Sequence, residues 1–184
     1  MSIRFCWVSI LLMSFSLSTS ALAQDKKSDS DTPEMRAKVI TDSETGSSVT
    51  RPDGWVQGTP GKGVLATFHA AGDKKAQIEV RLSPHVKDQQ GEIFFASFHS
   101  SLQKAGFTRD EVRPKTSYGG KVGVETEYKT TSKKEEYRMI IWQYQQADSA
   151  YLVVGFFPEK GRDKYYDDFQ EVITSLKVGT NAEP

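Results

Sequence analysis

The sequence predicts an α+β protein: a central, mostly antiparallel sheet flanked by helices. Three observations predict it. First, the runs Tyr137 to Gln146 and Ala150 to Phe157 are apolar on both alternating faces. Met139 and Ile141 oppose Ile140, Trp142 and Tyr144, while Leu152, Val154 and Phe156 oppose Tyr151, Val153 and Phe157. Successive side chains of a strand point to opposite faces, so both runs need cover above and below. The polar break Gln146-Ala147-Asp148-Ser149 makes them an antiparallel hairpin at the centre of a sheet. Second, the other breaks between apolar runs are mostly short enough for hairpins, which favours antiparallel neighbours. Third, two segments carry apolar residues at helical spacing, enough to supply the cover.

The elements follow in order. Ser48-Val49-Thr50 is a short strand, ended by Pro52-Asp53-Gly54, where Pro and Gly favour a tight turn before Trp55. Gly58 to Gly63 is a loop, Val64 to Ala71 a strand, Gly72-Asp73-Lys74 a turn and Ala76 to Ser83 a strand. In this last strand Ala76, Ile78, Val80 and Leu82 alternate with Gln77, Glu79, Arg81 and Ser83, which predicts one wet face and a place nearer an edge. Gly91 to Ala105 is a helix with the stripe Ile93, Phe94, Phe95, Phe98, Leu102 and Ala105, with Asp88 in the N-cap region and Gly106 just beyond its end. Phe107 to Arg113 is a strand stopped by Pro114. Tyr118-Gly119-Gly120 is a turn, and Val122 to Thr130 alternates again. Ser132 to Glu135 turns the chain into the central hairpin. A helix from about Asp163 to Lys177 closes the domain, with Tyr165, Phe169, Val172, Ile173 and Leu176 on one face. Asp167 and Asp168 toward its N-terminal half and Lys177 at its end suit the helix dipole.

The 184 residues bound one ordinary domain plus trimmings, and 37% hydrophobic content is enough for a core. Residues 1–23 read as a signal peptide: Arg4, the apolar stretch Phe5 to Leu17, and Ala21-Leu22-Ala23 before Gln24 as the mature start. The sole cysteine, Cys6, lies inside this segment, and the cleavage site lacks the cysteine that lipidation requires. The expected product is exported, periplasmic or extracellular, and not membrane-spanning after cleavage. It would hold no disulfide, thiolate nucleophile or cysteine-based metal site. Residues 24–46 read as a disordered leader, 47–178 as a single domain and 179–184 as a flexible tail. Lys+Arg and Asp+Glu both number 24, so no nucleic acid and no anionic membrane is expected as partner on electrostatic grounds.

Three stretches together resemble the PsbP/DcrB-like family of small exported or lumenal domains. They are Val49-Thr50-Arg51-Pro52-Asp53-Gly54-Trp55, the glycine turn and strand Gly119-Gly120-Lys121-Val122-Gly123-Val124, and the closing helix with Tyr165, Phe169 and Ile173-Thr174-Ser175-Leu176. The likeness covers about Ser47 to Val178. It implies an α/β/α sandwich and a non-enzymatic binding or accessory module, and carries no functional residue onto a position here.

The residues themselves point to no catalytic, cofactor or metal site. His69, His85 and His99 lack metal-site spacing and read as surface or boundary histidines. Gly58, Gly61 and Gly63 do not make a phosphate loop, because Lys62 is followed by Gly63 and a strand rather than by Ser or Thr opening a helix. There is no G-x-S-x-G, and Ser100-Ser101 beside His99 point in different directions on one helix. Glu79, Glu125 and Glu127 read as wet-face cross-strand ion pairs with Arg81 and Lys129; acid/base work would require desolvation. Trp142 and Tyr144 read as core. Trp55, at the domain rim after a turn, is the candidate partner contact.

The favoured function is therefore an exported, soluble, non-catalytic module acting on a protein or envelope component. A small-ligand or lipid carrier is the alternative and needs a cavity at small residues such as Ala96 or Gly155. A hydrolase built on Glu125 or Glu127 is the third reading.

Overall fold

Seven strands form one sheet, and the chain fills it from the outside inward. A computed structural model describes residues 38–132, 134–146 and 148–179. β1 (Val39–Thr41) and β2 (Ser48–Thr50) pair as a small separate ribbon. β3 (Trp55–Gln57), β4 (Val64–Ala70) and β5 (Asp73–Ser83) are joined by short turns. α1 (Asp88–Lys104) carries the chain across to the opposite edge. There β6 (Thr108–Tyr118), β7 (Lys121–Ser132), β8 (Glu135–Gln146) and β9 (Ser149–Pro158) return strand by strand. A single 3-10 turn, Glu159–Gly161, leads into α2 (Arg162–Ser175). The order is β3-β4-β5-β9-β8-β7-β6 with every neighbour antiparallel, so β9 is the middle strand.

The doubly apolar hairpin is the centre, as its pattern requires. Ile140, Trp142, Tyr151 and Val153 are wholly buried on one face, under α2. Met139, Ile141, Leu152 and Val154 are buried on the other, where Phe95 of α1 covers them with Phe94, Phe98 and Leu102 at its margin. α2 lays Tyr165, Phe169, Val172 and Ile173 on the first face. Their three- and four-residue spacing makes one stripe along the helix. Gly155 lets α2 approach: a Cβ there would lie 2.5 Å from the Phe157 ring and 3.0 Å from Phe169. Gly119 and Gly120 (φ 55° and 80°) close the β6–β7 hairpin with the left-handed pair that matches strand twist.

Four expectations are corrected. The ordered fold begins before Ser47, because Val39–Thr41 pairs with Ser48–Thr50 and Thr45 and Ser47 are buried in its turn. Asp42 caps that turn, its Oδ2 accepting from Thr45 N and Oγ1, both at 2.8 Å. Pro114 does not stop β6; the strand continues to Tyr118 through a bulge at Lys115 (φ 65°). Proline costs no ladder bond on an outermost strand, and a bulge there blunts the edge. After the β4 turn, β5 resumes at Asp73 rather than Ala76 and lies beside the central strand. Its polar face is half covered: Glu79 pairs with Arg81, whose guanidinium sits 5.6 Å from the Phe98 ring of α1. The fourth correction concerns Glu125 and Glu127 and is described below. The expectations for residues 1–23, for 24–37 and for 180–184 lie outside the described residues.

Candidate functional site

Glu125 and Glu127 are not on a wet face; both are buried, at 0% and 3% exposure. Register explains it. Glu125 lies opposite Trp142 and Glu127 opposite Ile140, so the two carboxylates share the face that α2 covers. On their other side stand Arg113, opposite Glu125, and Glu111, opposite Glu127. An ionised carboxylate inside a protein must be paired and hydrogen-bonded, and each of these is. Arg113 Nη1 donates to Glu125 Oε1 at 2.6 Å, and its Nη2 donates to Glu127 Oε1 at 2.8 Å and Glu111 Oε2 at 2.6 Å. Tyr118 donates to Glu125 Oε2 at 2.6 Å and Tyr166 of α2 to Oε1 at 2.9 Å. Arg162, the first residue of α2, donates to Glu127 Oε1 at 2.7 Å and lies 4.7 Å over the Tyr166 ring.

The electrostatics follow from these contacts. The bond to Glu111, with Glu127 and Glu125 behind it, holds Arg113 charged against partial burial. Burial, then the bond to Glu125, pushes the Tyr118 phenol up, and burial does the same for Tyr166. Both phenols therefore stay protonated as donors. The cluster ties α2 to β6 and β7. It leaves neither Glu125 nor Glu127 without strong donors.

The outer rim of this cluster is the wall of an open groove. Arg138 of β8 donates to Glu159 from Nε at 2.5 Å and from Nη2 at 3.1 Å, and also pairs with Asp110. Lys129 holds the other Asp110 oxygen at 2.7 Å. These two cations lower the Asp110 carboxyl. Beside them is a depression of about 590 Å³ lined by Thr108, Lys129, Thr130, Thr131, Arg138 and Glu159 among others. A second depression of about 530 Å³, with Lys75, Glu135 and Lys160, shares Glu136 and Glu159 with it. Hydroxyls and both signs of charge line this end of the sheet, and Lys129, Arg138 and Glu159 are fixed there by ion pairs. Such a surface can offer directed hydrogen bonds to a polar partner at little ordering cost. No group of His, Cys, Asp and Glu suited to a metal occurs among the described residues.

Trp55, the residue singled out as a partner contact, is seated in the core at 5% exposure. Its indole N–H donates to Asp168 Oδ2 at 2.9 Å and its ring meets Tyr165 edge-on at 5.7 Å, because the strand it opens lies under α2. The histidines are spread out: His69 on β4, exposed His85 between Glu44 and Asp148 at 3.9 and 3.7 Å, and half-buried His99 on α1. Gly58, Gly61 and Gly63 lie in the β3–β4 connection, away from any helix start. Sequence reasoning missed Arg113, Arg162, Tyr118 and Tyr166. Their common point is set by strand register and by the seat of α2; the one local signal was a pair of glutamates two apart in a strand.

No protein-family model matches the chain, and no curated protein does either. Solved structures do match. The solution structure of cyanobacterial PsbP (CyanoP) from Synechocystis superposes with a TM-score of 0.57 at 15% identity, over 76% of this chain and 91% of that one. A crystal structure from Bacteroides thetaiotaomicron gives 0.57 at 15% identity over 81% of this chain, which spans about half (51%) of that protein. LpqN of Mycobacterium tuberculosis, described as involved in cell envelope biogenesis, gives 0.53 at 10% identity, over 73% of this chain and 83% of that one. The class is thus defined: this is a PsbP-like α+β sandwich. The resemblance read from the opening turn, the glycine turn and the closing helix is borne out at the level of the fold. No helix among the described residues is long and apolar enough to cross a membrane.

Proposed function

We propose that this protein is an exported, non-catalytic binding or accessory module that engages a protein or envelope component through the polar groove at the β7–β8 end of the sheet. The observation that carries the reading is the saturation of Glu125 and Glu127. The two carboxylates sequestered from water accept from Arg113, Arg162, Tyr118 and Tyr166, so their chemistry goes into rigidity. The rigidity reaches the surface at Arg138 and Glu159, where the groove opens. The fold shared with LpqN, a protein described by a role in cell envelope biogenesis, supports an envelope setting. The carrier reading loses its entrance: the space beside Gly155 is filled by Phe157 and Phe169, and Ala96 faces outward.

Site-specific photo-cross-linking tests this. A cross-linker at exposed Thr131, in the groove, is expected to trap one discrete envelope partner, and Lys129→Glu to abolish the adduct. A cross-linker at Val56, 54% exposed on the opposite edge, is expected to trap none. Equal adducts from both positions, or none from Thr131, would refute the assignment.

A further inference from the structure

His99 is a polar anchor by which α1 reaches across the apolar layer it covers. Its Nδ1 lies 2.8 Å from the Tyr128 hydroxyl and its Nε2 2.8 Å from Gln143 Oε1. Arg109 Nε donates to the same Tyr128 oxygen at 3.3 Å, with its guanidinium 5.8 Å from the Tyr128 ring. The ring of His99 stacks on Tyr128 at 5.7 Å, and Tyr128 is wholly buried. One arrangement of hydrogens satisfies this chain. Arg109 donates to Tyr128, Tyr128 donates to His99 Nδ1, and His99 Nε2–H donates to Gln143. The ring is neutral in that arrangement.

A second proton has nowhere to go. On Nδ1 it would face the Tyr128 oxygen, which already accepts from a cation, and would force the phenolic hydrogen off its acceptor in a buried place. The charged and titratable groups around the ring are Arg109 of β6 and Tyr128 of β7; Gln143 of β8 is neutral. Arg81 of β5 lies one residue along the helix, over Phe98, paired with Glu79. No carboxylate contact offsets the new charge in this chain of bonds. Burial, reinforced by Arg109 and partly opposed by the Gln143 bond, lowers the His99 pKa.

We propose that His99 is an acid-released latch: its protonation breaks the bonds to Tyr128 and Gln143 and loosens α1 from the sheet, while α2 stays in place. The two helices are held differently. α2 is tied by the Arg162–Glu127 ion pair and by the Tyr166 phenol to Glu125. α1 is held besides by Phe95 and its apolar neighbours, by Arg81 over the Phe98 ring and by a close approach at Gly91, where a Cβ would strike the Gln145 side chain. Loosening α1 uncovers Met139, Ile141, Leu152 and Val154.

The test is amide protection of α1 and α2 in the full chain at about pH 7.5 and about pH 5.5, spanning histidine titration. α1 is expected to lose protection at the acidic pH and α2 to keep it, and His99→Gln is expected to make α1 protection the same at both. In the wild type, an NMR titration should place the His99 pKa below the ordinary histidine range, with α1 protection falling between that range and the His99 pKa. The proposal is overturned if α1 protection is unchanged, if His99→Gln retains the fall, or if the His99 pKa is not below the ordinary histidine range. The wild-type titration decides the matter even if the variant does not fold.

Discussion

Arg113 and Glu125 face each other across the β6–β7 pair, Nη1 to Oε1 at 2.6 Å, with the carboxylate at 0% side-chain exposure and the guanidinium at 35%. One partner of the bond is inside the protein and the other bridges it to water. Arg113 also reaches Glu127 and Glu111, so a single residue of the edge strand bridges both buried carboxylates beneath α2 to the surface.

Arg113→Met should destabilise the fold by about 2–3 kcal/mol, since it strips charge-assisted bonds from buried carboxylates but leaves Tyr118, Tyr166 and Arg162 in place. Urea unfolding measures it. The double variant Arg113→Met with Glu125→Gln should recover part of the loss, because the uncompensated charge goes with it.

Gly155→Ala should cost about 1–3 kcal/mol, the range for overpacking a close-packed core. The added methyl would meet Phe157 and Phe169 where both are wholly buried. Thermal unfolding reads the effect. A variant as stable as the parent would show that α2 sits farther from the sheet than described.

Alkaline pH should weaken the fold. Burial raises Tyr118 and Tyr166, so above the ordinary phenol range the unfolded chain releases protons that the folded chain keeps. The unfolded state then binds fewer protons, and stability falls as pH rises from about 10. It is intact below that value. Tyr118→Phe should make the alkaline slope shallower in equilibrium unfolding followed by near-ultraviolet circular dichroism.

Trp55→Phe should cost about 1 kcal/mol for the lost bond to Asp168, with the ring contact to Tyr165 partly kept. Asp168→Asn, which keeps an acceptor, should cost less. Equal losses would mean that the carboxylate charge matters more than the indole donor.

The sheet's centre was legible because Tyr137 to Phe157 is apolar at every second residue on both faces, and only a strand covered twice explains that. The helices were legible from their stripes. Glu125 and Glu127 were not, since alternation with Val122, Val124 and Thr126 looks the same for a wet face and for a face of paired buried charge. The difference lies in residues up to 41 positions away, such as Tyr166 at Glu125. Val122, on the apolar side of that alternation, is 57% exposed, because α1 covers β9 and β8 rather than the far edge. Pro114 misled for a related reason: proline stops a central strand and is harmless at an edge, and edge position is a property of the whole sheet. The small ribbon at Val39–Thr41 was hidden by three-residue strands in a polar segment, where Asp42 and Thr45 hold the turn and periodicity has no room to show.

The most direct test of the account is residue-resolved amide exchange in the native protein. The β8–β9 hairpin, sealed on both faces, should hold the slowest amides. Those of Ile140, Trp142, Tyr151 and Val153 should exchange only through global unfolding, well behind Val56 of β3 and Val112 of β6. Exchange at Trp142 or Val153 as fast as at those edge positions would contradict a sheet covered above and below, and with it the rigid frame on which the groove is built.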